Sequence, residues 1–135
     1  MVNKLNMKNI ASAYSIFIGL SMFGMWTMFW ITGNIPELET EPIRIVMHLT
    51  AEFVTAILLI GGGIALLRGW KYGINLFQFS MGMLIYTLIQ SPGYFAEQGE
   101  FVFVVMFAIF LLIAFTLLVW SFKKLEKLKV GGKEK

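Results

Sequence analysis

The sequence contains no cysteine, a single histidine and few charged residues. The absence of cysteine excludes disulfides, thiolate metal sites, thiol catalysis and cysteine-linked haem. Only 14% of the 135 residues are charged, whereas 58% are hydrophobic, and the mean hydropathy is +0.75. A soluble domain of this length leaves too much of its surface in water to bury so much apolar side chain. The composition therefore predicts an integral membrane protein.

Motifs of catalysis and metal binding are also missing. The glycine run from Gly61 to Gly63 lies in an apolar stretch and lacks the lysine and the preceding strand of a phosphate loop. Met22, Met25 and Met28 offer soft ligands for copper, but three-residue steps spread them over roughly 120° of a helix surface, which favours packing. One histidine falls short of a closed zinc site. We therefore predict no catalytic residues and no metal site, and the sequence requires no cofactor.

Four apolar stretches are long enough to cross a bilayer, which takes roughly 20 helical residues. They cover about residues 10–31, 43–67, 73–89 and 101–122, and the turn-forming segment "SPGYF" follows the third. Backbone groups in lipid must find hydrogen bonds within their own segment, so each stretch is predicted to be a helix. We predict an all-α, four-transmembrane-helix bundle that forms one membrane domain over residues 1–135.

The basic residues are distributed unevenly between the predicted loops. Ten of the eleven lie before the first span, after the second or in the tail 123–135, and Arg44 is the only cation in the other loops. Because loops rich in lysine and arginine stay on the cytoplasmic side of a membrane, both termini are predicted to be cytoplasmic. The predicted location of the protein is the inner membrane. This distribution argues against nucleic acid as the partner of a chain with net charge +3. The tail is either a solvated stop-transfer segment or a contact for anionic headgroups.

Small residues mark where two spans approach each other. Ala11, Ser15 and Gly19 recur at every fourth position of the first span and form a narrow face. The glycine run Gly61–Gly63 in the second span permits close packing or a kink.

Two ionisable residues lie inside the second span. His48 and Glu52 are one helical turn apart and share a face, and Arg44 extends this stripe outward. Glu52 lies nine residues into the span, roughly 13 Å along the helix. A charge deep in a bilayer costs about 2.5–3.5 kcal/mol, so such residues normally face the protein and have partners.

Matching the depths of the spans suggests those partners. Gln90 in the third span lies near the depth of His48, and Tyr86 lies near that of Glu52, while Tyr94 falls at the rim. In the first span, Thr27 and Trp30 lie at comparable depths. We therefore predict an outward-facing polar pocket with His48, Glu52, Tyr86, Gln90, Arg44 and Tyr94 as its candidate residues.

Three interpretations of this pocket stay open. In the first, Glu52 is protonated or paired with His48, and the pair links helices through Tyr86 or Gln90. In the second, the pair binds a small amphipathic ligand, such as a quinone or a lipid headgroup, or carries a proton. In the third it contributes to a metal site completed by dimerisation, which nothing in the sequence demands.

The run from Glu52 to Met83, "EFVTAILLIGGGIALLRGWKYGINLFQFSMGM", resembles the middle of DoxX-type membrane proteins. These are small four-helix proteins with a glutamate early in the second span. A leucine-rich run, a glycine and a basic loop residue follow, and then a third span with methionine. The matching positions are Glu52, Leu58, Leu59, Gly61, Arg68 and Met83. The first span departs from the pattern by lacking a lysine after its glycines, and His48 does not belong to it. The resemblance implies a four-helix bundle, cytoplasmic termini and an accessory role beside a quinone-linked oxidoreductase.

Three functions follow from these observations. The first is a non-catalytic membrane subunit or binding protein with a quinone- or lipid-like ligand near His48 and Glu52. The second is an oligomeric proton-coupled transporter or channel in which Glu52 carries the proton and His48 tunes it. The third is a structural partner protein. The expected partners are the lipid bilayer and either further copies of the chain or another membrane protein.

Overall fold

A computed structural model describes residues 6–132, except for the side chains of residues 129 and 130. Within this range the chain is helical and contains no strand, which confirms the all-α prediction. The helices are α1 (Met7–Thr32), α2 (Glu37–Thr40), α3 (Pro42–Leu67), α4 (Gly73–Glu97) and α5 (Phe101–Gly131). Three residues used in the charge argument, Lys4, Lys133 and Lys135, lie outside the described residues.

Three of the helices in the described part of the chain are long and apolar enough to cross a membrane. They are α1, α3 and the portion of α5 from Phe101 to Leu128. Helix α4 has 25 residues but is more polar, because it carries Asn75, Gln78 and Gln90. The fourth span and the side on which the termini lie stay predictions.

Helix α4 is longer than the sequence pattern indicates. It continues through Pro92 and ends at Glu97, so the prediction of a turn at "SPGYF" is wrong. Proline removes one backbone donor, a loss that long apolar helices tolerate when neighbouring groups satisfy the freed carbonyl. The turn comes instead at Gly99, whose φ of +74° is left-handed and therefore favours glycine.

The chain divides into two compact units, residues 1–77 and 78–135. In the first unit α1 packs along α3 in antiparallel register. Ser15 Oγ donates a hydrogen bond of 2.6 Å to the Leu59 carbonyl. A methyl group at Gly19 would lie 2.8 Å from the Ala56 carbonyl oxygen, and one at Gly63 would lie 2.7 Å from Ile16 Cγ1. The predicted close approach at the small residues is confirmed.

The second unit contains most of α4 and all of α5. Phe95 near the end of α4 stacks on Phe103, with ring centroids 4.7 Å apart, and also contacts Phe107 at 5.6 Å. These rings hold the start of α5 against the end of α4 across the turn at Gly99.

Candidate functional site

The buried carboxyl group of Glu52 is the centre of the candidate site. Glu52 lies on the α1-facing side of α3 and is only 5% exposed. The Trp26 indole Nε1 on α1 donates a hydrogen bond of 3.2 Å to Glu52 Oε2. This bond extends the α1–α3 contact beyond Gly19 and Ala56, in the same antiparallel register. Trp26 is therefore a partner of Glu52 that lies on the first span.

His48 contacts the same indole. It lies one helical turn before Glu52 and is half-buried, and its ring meets Trp26 edge to face with centroids 5.6 Å apart. Trp26 thus touches both ionisable residues, one by hydrogen bonding and the other by ring packing. We call Trp26, His48 and Glu52 the Glu52 cluster.

Apolar rings flank the Glu52 cluster on both helices. Phe23 on α1 meets Phe53 on α3 edge to face at 5.2 Å, and Phe29 packs against Trp26 at 6.0 Å. A shallow groove lies on a different face of α1, about 150° around the helix from Trp26 on average, and is lined by Phe23, Gly24, Thr27, Met28, Ile31 and Thr32. The two threonine hydroxyls donate to carbonyls of their own helix, so the groove is almost wholly apolar.

The sequence placed different residues of α1 at this depth. Thr27 donates its hydroxyl to the Phe23 carbonyl at 2.7 Å, and Trp30 is exposed. Successive residues turn by about 100° around a helix, so residues at nearly the same depth face different directions. The signal that identifies Trp26 is its spacing: seven residues, or two turns, separate it from Gly19 on the small-residue face.

Arg44 lies at the outer end of the predicted stripe but does not extend it toward His48. Its guanidinium forms an ion pair of 2.7 Å with Glu41, and its side chain is 80% exposed. A surface pair of this kind contributes little to stability. The described structure therefore engages Arg44 at the start of α3, apart from the Glu52 cluster.

The remaining predicted residues lie on α4 in the second unit. Tyr86 is 66% exposed, and Gln90 and Tyr94 are exposed as well. Tyr94 packs edge to face on Phe95 at 5.4 Å. Their proximity to His48 and Glu52 stays a prediction, while the first unit already supplies Glu52 with one partner.

Comparison with known proteins adds a family but no activity. No curated protein and no solved structure matches the chain. A family model described as "Domain of unknown function (DUF8058)" matches residues 5–133, nearly the whole sequence. The chain therefore belongs to the DUF8058 family, whose description assigns no function.

Proposed function

We propose that this chain is a non-catalytic protein of the cytoplasmic membrane that binds a quinone- or lipid-like molecule at the Glu52 cluster. In this proposal α4 forms the fourth span, both termini are cytoplasmic and the cluster lies in the outer half of the bilayer. Tyr86, Gln90 and Tyr94 on α4 stay sequence-based candidates for further ligand contacts. The DoxX-like run from Glu52 to Met83 supports a role as accessory subunit beside a quinone-linked oxidoreductase.

The hydrogen bond between Trp26 and Glu52 is the observation that carries the proposal. A carboxylate accepts up to about four hydrogen bonds, and the indole supplies one. A buried carboxyl group with spare acceptor capacity suits a ligand hydroxyl, and the imidazole of His48 can donate to a ligand carbonyl. A quinol presents the hydroxyl and a quinone the carbonyl, so this pair matches both redox forms of such a headgroup.

The aromatic rings beside the Glu52 cluster support a ligand with a hydrocarbon tail. Phe23 on α1 meets Phe53 on α3 at 5.2 Å, and Phe29 packs against Trp26 at 6.0 Å. A headgroup at Glu52 would leave its tail against apolar side chains of this kind. The ligand class is therefore amphipathic, with a small polar ring or headgroup and an apolar chain.

A second candidate function is proton-coupled transport by an oligomer. It is favoured by the contact of one indole with two ionisable side chains, Glu52 and His48, inside an apolar helix pair. In this alternative Glu52 carries the proton and the cluster needs no bound organic ligand. The same contact also suits a structural partner protein, in which the cluster only joins α1 to α3.

Quinone titration of the purified protein in lipid nanodiscs tests the proposal. We expect a water-soluble quinone analogue to quench tryptophan fluorescence saturably, and Glu52→Gln to weaken its binding by about tenfold or more. Glu39→Gln on the exposed surface of α2 is the matched control and should bind like the wild type. Equal affinity in all three proteins would refute the ligand site. The transporter would be favoured instead if the wild type binds no quinone but carries protons into liposomes, and if Glu52→Gln abolishes this proton flux.

A further inference from the structure

A basic cluster lies at the other end of the α1–α3 pair from Glu52. Arg68 and Lys71 occupy the turn after α3, and Lys8 reaches this turn from the first turn of α1. We propose that Lys8, Arg68 and Lys71, called here the basic turn, bind the phosphate headgroup of an anionic phospholipid. This inference is independent of the function proposed for Glu52.

The turn has a defined backbone that fixes where its cations lie. Gly69 has a left-handed φ of +67°, and the Trp70 amide donates to the Ala65 carbonyl at 3.0 Å, which closes the end of α3. The start of α4 then passes so close that a methyl group at Gly73 would collide with the Ala65 carbonyl. The five residues from Arg68 to Tyr72 are thus held between two helix ends.

Lys8 joins the turn because α1 begins beside it. Asn6 caps α1 by accepting a hydrogen bond of 3.1 Å from the Lys8 amide. A methyl group built at Gly69 would lie 3.6 Å from Lys8 Nζ. A cation in the first turn is unfavourable for its own helix, whose amino end already carries partial positive charge. This end of the helix pair therefore presents three cations beside a helix amino terminus.

The charge around the basic turn is unbalanced. No acidic residue occurs in residues 1–36 or 53–96 of the sequence. The glutamates of the first unit, Glu37, Glu39, Glu41 and Glu52, all lie toward the other end of the α1–α3 pair. A ligand that neutralises the basic turn must therefore come from outside this unit, and it must be an anion.

Exposed aromatic rings identify the anion as a lipid headgroup. Trp70 and Tyr72 flank Lys71 and are 56% and 68% exposed, and Lys71 Nζ lies 5.2 Å from the Tyr72 ring centroid. Tryptophan and tyrosine concentrate at the level of the headgroups, where an apolar ring meets a polar layer. The basic turn also follows α3, a helix that can cross a membrane. Basic pockets at such helix ends bind the phosphates of anionic lipids.

Native mass spectrometry of the detergent-purified chain tests this site. Short-chain phosphatidylglycerol, the neutral phosphatidylcholine and inorganic phosphate are titrated separately. The test variant is Lys8→Gln/Arg68→Gln/Lys71→Gln. The control removes three cations from the tail of α5, as Lys123→Gln/Lys124→Gln/Lys127→Gln. Each headgroup contact is worth about fivefold in affinity, so the test variant, which loses three, should bind phosphatidylglycerol about a hundredfold more weakly.

The expected result is specific in lipid and in position. Wild type and tail variant should both prefer phosphatidylglycerol to phosphatidylcholine, and the test variant should lose this preference. Equal losses in both variants would mean non-specific charge attraction and would overturn the proposal. So would phosphate alone binding as tightly as phosphatidylglycerol. If the triple variant does not fold, Lys71→Gln is compared with Lys124→Gln. Only Lys71→Gln should lose affinity for phosphatidylglycerol, by about fivefold.

The readout also separates binding from helix capping. Lys8 near the end of α3 can stabilise that helix through its partial negative charge. If Lys8→Gln lowers the melting temperature but leaves phosphatidylglycerol affinity unchanged, Lys8 caps α3 and does not belong to the lipid site. A loss of about fivefold in lipid affinity at unchanged melting temperature supports the proposal.

Discussion

The Trp26 indole nitrogen and the Glu52 carboxylate lie 3.2 Å apart and join α1 to α3. The pair continues the contact register of the two helices, in which Ser15 meets Leu59 and Gly19 meets Ala56. Small residues bring the backbones together at one end, and a large donor reaches a buried acceptor at the other. The close approach of the two backbones at the small residues therefore brings the Trp26 indole within hydrogen-bond distance of Glu52.

Removing the indole donor should destabilise the helix pair. Trp26→Phe keeps an aromatic ring but leaves Glu52 without this hydrogen bond, and we expect a loss of about 1 kcal/mol in the free energy of unfolding. Trp30→Phe, at an exposed tryptophan one turn away, is the control and should change it by less than about 0.5 kcal/mol. Denaturant unfolding in mixed micelles measures both. Equal effects would show that the Trp26–Glu52 bond contributes no specific stability.

Methyl groups added to two glycines of α1 should have opposite effects. Gly19→Ala forces the helices apart, since its methyl group would lie 2.8 Å from the Ala56 carbonyl oxygen, and should cost about 1–3 kcal/mol. In the described part of the chain the matched change Gly24→Ala meets nothing within 4 Å and should be neutral or stabilising, because alanine favours helix. Melting temperatures in detergent provide the comparison. A Gly19→Ala protein as stable as Gly24→Ala would refute the close approach.

Two serines on the buried face of α1 provide a second matched pair. Ser15 donates to the Leu59 carbonyl, so Ser15→Ala should cost about 0.6 kcal/mol, the average for such bonds in membranes. Among the described residues the buried Ser12 hydroxyl has no hydrogen-bond partner, so Ser12→Ala should be neutral or stabilising. Unfolding free energies of the two variants should therefore differ in sign or clearly in size. The reverse order would contradict the assigned hydrogen bond.

The number of spans can be measured by cysteine labelling, because the chain has no cysteine of its own. Single cysteines replace Asn34, Tyr72, Gln98 and Glu126, and intact cells are treated with an impermeant maleimide. If α4 crosses the membrane, positions 34 and 98 label from outside, and positions 72 and 126 label only after lysis. If α4 does not cross, position 98 labels only after lysis and position 126 labels from outside. That result would show that the four-span topology is wrong.

Local sequence patterns predict where the helices lie along the chain but not which faces of the helices meet. The starts of α1 and α3 follow from apolar runs, and a close approach of another helix to α1 follows from the spacing of Ser15 and Gly19. Depth matching points to Thr27 and Trp30 and overlooks Trp26, because depth depends on rise along the helix, whereas contact depends on rotation around it. Combining depth with the small-residue face would have selected Trp26.

The end of α4 illustrates a different limit. Pro92 and Gly93 are breakers in isolation, yet the helix passes through both and ends at Glu97. The cost of one missing backbone donor depends on which groups satisfy the freed carbonyl, and these are set by tertiary structure. Short patterns therefore could not locate this end. Contact of Glu52 with α4 could not be derived from the sequence for a related reason, since equal depth does not establish contact.

Whether Glu52 holds an amphipathic ligand can be measured from the molecules that accompany the purified protein. Organic extracts of wild type, Glu52→Gln and the surface control Glu39→Gln are compared by quantitative mass spectrometry. Glutamine keeps an oxygen that can accept from Trp26, so the fold should survive while the carboxyl group is lost. We predict a quinone or one lipid species near stoichiometric amount in wild type and control, and its loss in Glu52→Gln. The same composition in all three proteins would contradict ligand binding at Glu52.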